Sequence, residues 1–194
     1  MIHHSRPTLG GREARALTGI VRSCEIAGGR EVERFETEAA RYVGVRDACA
    51  VNSGTAALHL ALMALDVGKG REVIVPSYVC SAVLNAVNYT GARPVLADVE
   101  PDTGNIDVAQ LRRLVTRRTS AIIVAHMFGL PARIEDALAI GVPVIEDCAM
   151  AIGAEHTPLR AGGQGTGRSL RPHPRPLPEG EGTASPLPLG EGSG

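Results

Sequence analysis

The 194-residue chain predicts an α/β fold of three layers, with helices on both sides of a mainly parallel sheet. Three observations predict it. Short runs such as Val73-Ile74-Val75 and Ala121-Ile122-Ile123-Val124-Ala125 are apolar throughout, without polar alternation. Segments of helical period separate them, and Gly, Pro and Asp punctuate the junctions. A strand apolar on every residue is buried on both faces, which parallel sheets covered by crossover helices require.

The elements follow in order. Residues 1–30 read as an N-terminal arm and helix, and 31–159 as the partial large domain of an α/β protein. Within it, Glu31 to Tyr42 is a helix with Phe35, Ala39 and Tyr42 on one face. Ala48 to Asn52 is a short apolar strand, and Gly54 to Val67 a helix with Leu58, Leu62 and Leu65 in register. Glu72 to Pro76 is a strand, Ser81 to Tyr89 a helix ended by Gly91, and Pro94 to Val99 a strand. Asp107 caps a helix that runs to Val115. Ala121 to Ala125 is a strand, Ile134 to Ile140 a short helix, and Val142 to Ile145 another buried strand.

Composition removes several function classes. Net charge is −1, which gives no electrostatic footprint for nucleic acid or an anionic membrane surface. No uncharged apolar run reaches the ~18 residues of a membrane span, and residues 1–7 carry no apolar signal core. A cytoplasmic location is expected. Cys24, Cys49, Cys80 and Cys148 form no Cys-x-x-Cys pair; three lie in apolar stretches and read as small core hydrophobes. The histidines at 3, 4, 59, 126, 156 and 173 show no metal-ligand spacing. His126 ends a strand, where it either lines a cleft or serves the structure.

The end of the chain changes character. From residue 160 the hydrophobic period is gone, and six of the 13 prolines fall between Pro172 and Pro188. Arg175–Gly182 is echoed by Ser185–Gly192. Such a Pro/Gly repeat cannot bury a core, so 160–194 is expected to be a disordered tail. Its onset in the middle of a fold suggests a shifted reading frame; a natural flexible tail is the alternative.

Two motifs carry chemistry, both at strand carboxyl ends, where ligands bind in sheets of this kind. In Asn52-Ser53-Gly54-Thr55 a helix begins on small residues. Its first N–H groups have no internal partner and sit at the positive end of the dipole, a place for a phosphate dianion. A plain N-cap by Ser53 or Thr55 explains the same residues. Glu146-Asp147 follows Val-Pro-Val-Ile. A carboxylate buried there needs a cationic or hydrogen-bonding partner. That partner is either a protonated pyridine nitrogen, or else a helix end or an arginine.

With the strands between them, these motifs resemble the DegT/StrS family of pyridoxal-phosphate-dependent sugar aminotransferases, in its N-terminal part. The likeness runs through His4-Ser-Arg-Pro-Thr-Leu-Gly10, Val32-Glu-Arg-Phe-Glu36, Asn52 to Leu62, Glu72-Val-Ile-Val-Pro-Ser77 and Gly91 to Asp98. It continues through Thr119 to His126, Phe128-Gly129 and Glu146-Asp-Cys-Ala-Met-Ala-Ile-Gly153, and covers roughly residues 1–157. The resemblance implies a fold-type I aminotransferase large domain and pyridoxal 5'-phosphate as cofactor. It implies that Ser53, Gly54 and Thr55 hold the phosphate, that Asp147 pairs with the pyridine nitrogen, and that Cys80 and Met150 border the ring. It further implies a homodimer, an amino donor such as glutamate, and a nucleotide-linked keto sugar as acceptor.

The sequence departs from the family pattern at three points. Met150 stands where the family commonly has Gln, and Met cannot donate a hydrogen bond. Cys80 stands where an aromatic often stacks on the ring. The family's Ser-Phe-x-x-x-Lys motif, whose lysine binds the cofactor covalently, has no counterpart: near Ser169-Leu170 the chain offers Pro174, with His173 one residue short. The only lysine is Lys69, in the turn Gly68-Lys69-Gly70. The expectation is a chain truncated before its catalytic lysine and inactive alone. A non-catalytic phosphate- or cofactor-binding fragment, or the product of a pseudogene, is the alternative.

Overall fold

A computed structural model describes residues 8–155. The expectations for residues 160–194, His173 among them, fall outside the described residues. The chain divides into two compact units, Met1–Asn52 and Ser53–Gly194.

The first unit holds helices α1 (Gly11–Ser23) and α2 (Arg30–Val43). The Gly10 N–H donates to the Glu13 carboxylate at 2.7 Å, closing the first turn of α1. Both helices end in left-handed residues, Cys24 and Gly44. Residues 48–52 form no strand, contrary to their apolar sequence. A strand needs a neighbour to take its backbone groups, and here the Ala50 N–H goes instead to the Glu36 side chain at 2.7 Å. The expected apolar face of α2 forms, but Phe35 on it is 62% exposed.

The second unit is the α/β core. It contains α3 (Gly54–Ala64), β1 (Glu72–Pro76), α4 (Ser81–Tyr89), β2 (Arg93–Ala97), α5 (Val108–Leu114), β3 (Thr119–Ala125), α6 (Ile134–Leu138) and β4 (Val144–Asp147). The four strands form one parallel sheet in the order β2-β1-β3-β4. Helices cover both faces, so the predicted three-layer α/β architecture is the one observed. Side-chain alternation sorts the core. Val73, Val75, Ala121 and Ile123 pack with Leu58 and Leu62 of α3 and Val83, Ala86 and Val87 of α4. Ile74, Ile122 and Val124 pack with Leu111 of α5 and Ala137 of α6.

Several boundaries differ from the sequence reading. Helix α3 stops at Ala64 rather than Val67, because Asp66 turns to φ 53°, and Leu65 is left exposed. Strand β2 ends at Ala97, and Val99 instead makes a single antiparallel bridge with Ile106. Strand β4 begins two residues later than expected and includes both Glu146 and Asp147. It is also only half-buried, since among the described residues it pairs on one side alone, as β2 does, while β1 and β3 lie inside. None of the four cysteines is buried: Cys24, Cys49 and Cys80 are exposed and Cys148 is intermediate. Cys24 and Cys80 lie at helix ends, Cys148 just beyond β4 and Cys49 in the segment between α2 and α3, where apolar neighbours in sequence are not neighbours in the core.

Candidate functional site

The parallel strands all point one way, and their carboxyl ends align: Pro76 pairs with Ala97, and Ala125 with Asp147. Helix α3 runs back against the direction of β1, so its N-terminus lies at this carboxyl edge. Helix α4 starts at the same edge, just after β1.

At the start of α3, the Ser53 Oγ accepts the Ala56 N–H at 3.2 Å, and the Ser53 carbonyl accepts that of Ala57. Ser53 is therefore an N-cap, as the plainer reading of the motif required. The cap consumes neither the Gly54 nor the Thr55 N–H, the first two of the helix, which keep their position at its positive end. A Cβ built on Gly54 meets nothing within 4 Å, so the approach to these groups is open. A phosphate fits these donors, with the Thr55 hydroxyl beside them.

Asp147 lies on the same face. Ile145 packs into the α3 and α4 cluster, and Asp147, two residues on, takes the same side of β4. Its Oδ1 accepts the Ala149 N–H at 3.0 Å, which leaves Oδ2 as an acceptor. The carboxylate is only partly buried, not enclosed as its sequence context suggested. A protonated pyridine nitrogen matches that acceptor, so both ends of pyridoxal phosphate find the right type of group here. Cys80 is the residue before α4 and sits at the same edge, exposed. Met150 follows β4 and is 52% exposed.

The opposite face of β4 carries an arrangement that sequence spacing did not reveal. His126 is buried, its Nδ1 accepts the Ala132 N–H at 2.9 Å, and its Nε2 lies 3.0 Å from the Glu146 carboxylate. Because Nδ1 accepts, the ring proton is assigned to Nε2 and is donated to Glu146. The Cys148 thiol completes a group whose ligand atoms lie within 4.8 Å of one another. Burial, then the Glu146 and Asp147 charges, push that thiol up from its ordinary value. A metal on Nε2 would have to displace the proton that the Ala132 contact keeps there, so His126 and Glu146 form a hydrogen-bonded pair with the thiol nearby. Asn105 was also missed: its Oδ1 accepts the Met127 N–H at 2.8 Å and its amide donates to the Leu130 carbonyl. No local pattern marks it, because its partners lie more than 20 residues away.

Lys69 lies elsewhere. It precedes β1, and its backbone is next to Gly91 just before β2, so it occupies the amino edge of the sheet. The five residues of β1 separate the two edges by about 16 Å at ~3.3 Å per residue, farther than a lysine side chain reaches.

A parallel α/β domain with an open helix N-terminus and a carboxylate sharing one face of its carboxyl edge defines part of the large domain of a fold-type I pyridoxal-phosphate aminotransferase. The chain belongs to the DegT/DnrJ/EryC1/StrS aminotransferase family, whose sequence profile matches residues 7–182. It is 45% identical over 141 residues to GDP-perosamine synthase of Caulobacter vibrioides, covering 71% of this chain and 38% of that one. The fold matches an aminotransferase of Psychrobacter cryohalolentis with TM-score 0.73 and 37% identity, over 76% of this chain and 39% of that one. It also matches a Streptococcus pneumoniae protein in its PLP-form with TM-score 0.69 and 30% identity, over 72% of this chain and 36% of that one. The chain thus spans about two-fifths of the length of these relatives. Pyridoxal phosphate is the cofactor of the family. Among the described residues, no helix is long and apolar enough to cross a membrane.

Proposed function

We propose that this chain is the cofactor-holding part of a sugar aminotransferase. In this reading Ser53 shapes the first turn of α3, and the Gly54 and Thr55 N–H groups with the Thr55 hydroxyl bind the phosphate. Asp147 accepts from the pyridine nitrogen and keeps it protonated. Cys80 and Met150 border the ring, with weaker contacts than an aromatic and a glutamine would make. When bound, the cofactor supplies an electron-poor ring that takes up the charge released when a C–H bond beside nitrogen breaks. The observation that carries the reading is the shared face: the α3 N-terminus and Asp147 occupy one side of one sheet edge.

The activity served is transfer of an amino group from an amino acid such as glutamate to a nucleotide-linked keto sugar, by a cytoplasmic homodimer. The relationship to a GDP-perosamine synthase supports a sugar acceptor. The 194-residue polypeptide by itself is read as inactive, because the family's Ser-Phe-x-x-x-Lys motif has no counterpart in it. Lys69 supports this, because its place at the amino edge puts the only lysine on the wrong side of the sheet. What such a chain retains is non-covalent binding of the cofactor or of phosphate.

Titration with pyridoxal phosphate, followed by borohydride reduction and mass spectrometry, tests both halves. Saturable binding without a reduced lysine adduct is expected. Asp147→Asn should weaken binding about 10- to 100-fold, the equivalent of a charge-assisted hydrogen bond of about 1.5–3 kcal/mol. A reduced adduct at Lys69, or amino transfer by the purified chain, would refute the inactive reading. Equal affinity of wild type and Asp147→Asn would refute the site.

A further inference from the structure

We propose that His126 is a positioning residue for the pyridine-binding carboxylate, acting through Glu146. The inference rests on the assignment of Asp147 made above.

His126 grips both members of the Glu146-Asp147 pair. Its backbone N–H donates to the Asp147 carbonyl at 3.1 Å, and its Nε2–H donates to the Glu146 Oε2 at 3.0 Å. The ring cannot swing away, because the Ala132 N–H holds Nδ1 at 2.9 Å and the side chain is only 7% exposed. Ala132 belongs to the α5 and α6 side of the core, as does Val144, which shares the Glu146 side of β4. The imidazole therefore anchors Glu146 on the side away from α3.

Strand alternation converts that anchor into an orientation for Asp147. Successive side chains point to opposite faces, so fixing Glu146 on one face commits Asp147 to the other, where α3 begins. A separate anchor is needed because β4 has four residues, lies half-exposed and, among the described residues, pairs with β3 alone. Adjacent carboxylates also repel. Engaging one with a donor on the far face leaves the other to answer the cofactor alone. Around metal ligands, removing a partner that fixes a binding group in this way typically costs about 10- to 100-fold in affinity, and the same logic applies to a carboxylate.

The test uses the whole 194-residue chain and two ligands, pyridoxal phosphate and its 1-deaza analogue, in which C–H replaces the ring nitrogen. Wild type should prefer the nitrogen ring. His126→Leu should lower affinity for pyridoxal phosphate about tenfold, the share of one charge-assisted hydrogen bond, and leave the analogue unchanged. His126→Gln should restore the preference, since its amide oxygen can take the Ala132 N–H and its nitrogen can donate to Glu146. Glu146→Leu, at a half-exposed position, should reproduce the loss of preference and serves if His126→Leu fails to fold. If Glu146→Leu and whichever His126 variant folds retain the wild-type preference, or weaken both ligands equally, the inference is overturned while the Asp147 assignment stands. A wild type that does not distinguish the two ligands overturns both.

Discussion

Glu72 and Arg93 meet at 2.6 Å across the amino ends of β1 and β2. The same carboxylate takes a second guanidinium from Arg118 at 2.8 Å and the Thr116 hydroxyl at 2.7 Å. One buried glutamate thus ties three parallel strands together at the edge opposite the candidate site. A buried carboxylate is tolerated where each oxygen has a partner of this quality.

This clamp predicts an acid dependence of stability. The Arg93 hydrogen bond first, then that of Thr116, hold the Glu72 carboxyl below its ordinary value of 4.5. A lowered folded value means the contribution is complete above 4.5 and drains away as pH falls through the folded value. Glu72→Gln should therefore melt lower than wild type at neutral pH, with the two melting temperatures converging in acid. Thermal melts from pH 7 to pH 3 measure this; parallel curves would contradict it.

Gly54 separates stability from binding. It stands at the first position of α3 with open space where a side chain would go. Alanine there should stabilise the unliganded chain by about 0.4–1 kcal/mol through a less flexible unfolded state. It should also weaken binding of phosphate-bearing ligands, whose close approach needs that space. Urea unfolding alongside phosphate titration reads both; a gain in affinity would contradict the phosphate site.

Leu62 is fully buried between α3 and the sheet. Leu62→Ala should cost about 2–5 kcal/mol, from lost transfer energy and the cavity left behind. Since α3 also carries the proposed phosphate donors, the variant should lose phosphate affinity together with the fold cooperativity seen in denaturant.

Gly104 adopts φ 70°, and a Cβ there would lie 3.3 Å from the Phe128 ring. Phe128 itself has φ 54° and 60% exposure, with its ring 6.2 Å from that of Tyr78. Gly104→Ala should destabilise by about 1–2 kcal/mol, the cost of a left-handed non-glycine residue. It should also shift the tyrosine fluorescence, which no tryptophan masks.

The apolar runs at 72–76 and 119–125 made the inner strands legible, because burial on both faces leaves a local mark. The Asp107 cap was legible for the same reason: its side chain accepts the Ala109 N–H two residues away. The site was half legible. Ser53 to Thr55 lie together in sequence at a helix start, and Glu146 and Asp147 are adjacent. Their sequence did not say which carboxylate faces α3, nor that β4 extends to include both. Residues 48–52 looked like a strand, yet a strand exists only with a partner, and sequence does not report partners.

By itself the sequence determined the parallel α/β class and, the expected strand at 48–52 apart, the order of helices and strands, since each follows from side chains close along the chain. The tertiary structure alone decided the strand order β2-β1-β3-β4, the face on which Asp147 stands, and the bonds of Glu72 to Arg93 and of His126 to Glu146. Those bonds join residues about 20 positions apart, and only the register between packed strands brings them within hydrogen-bonding distance.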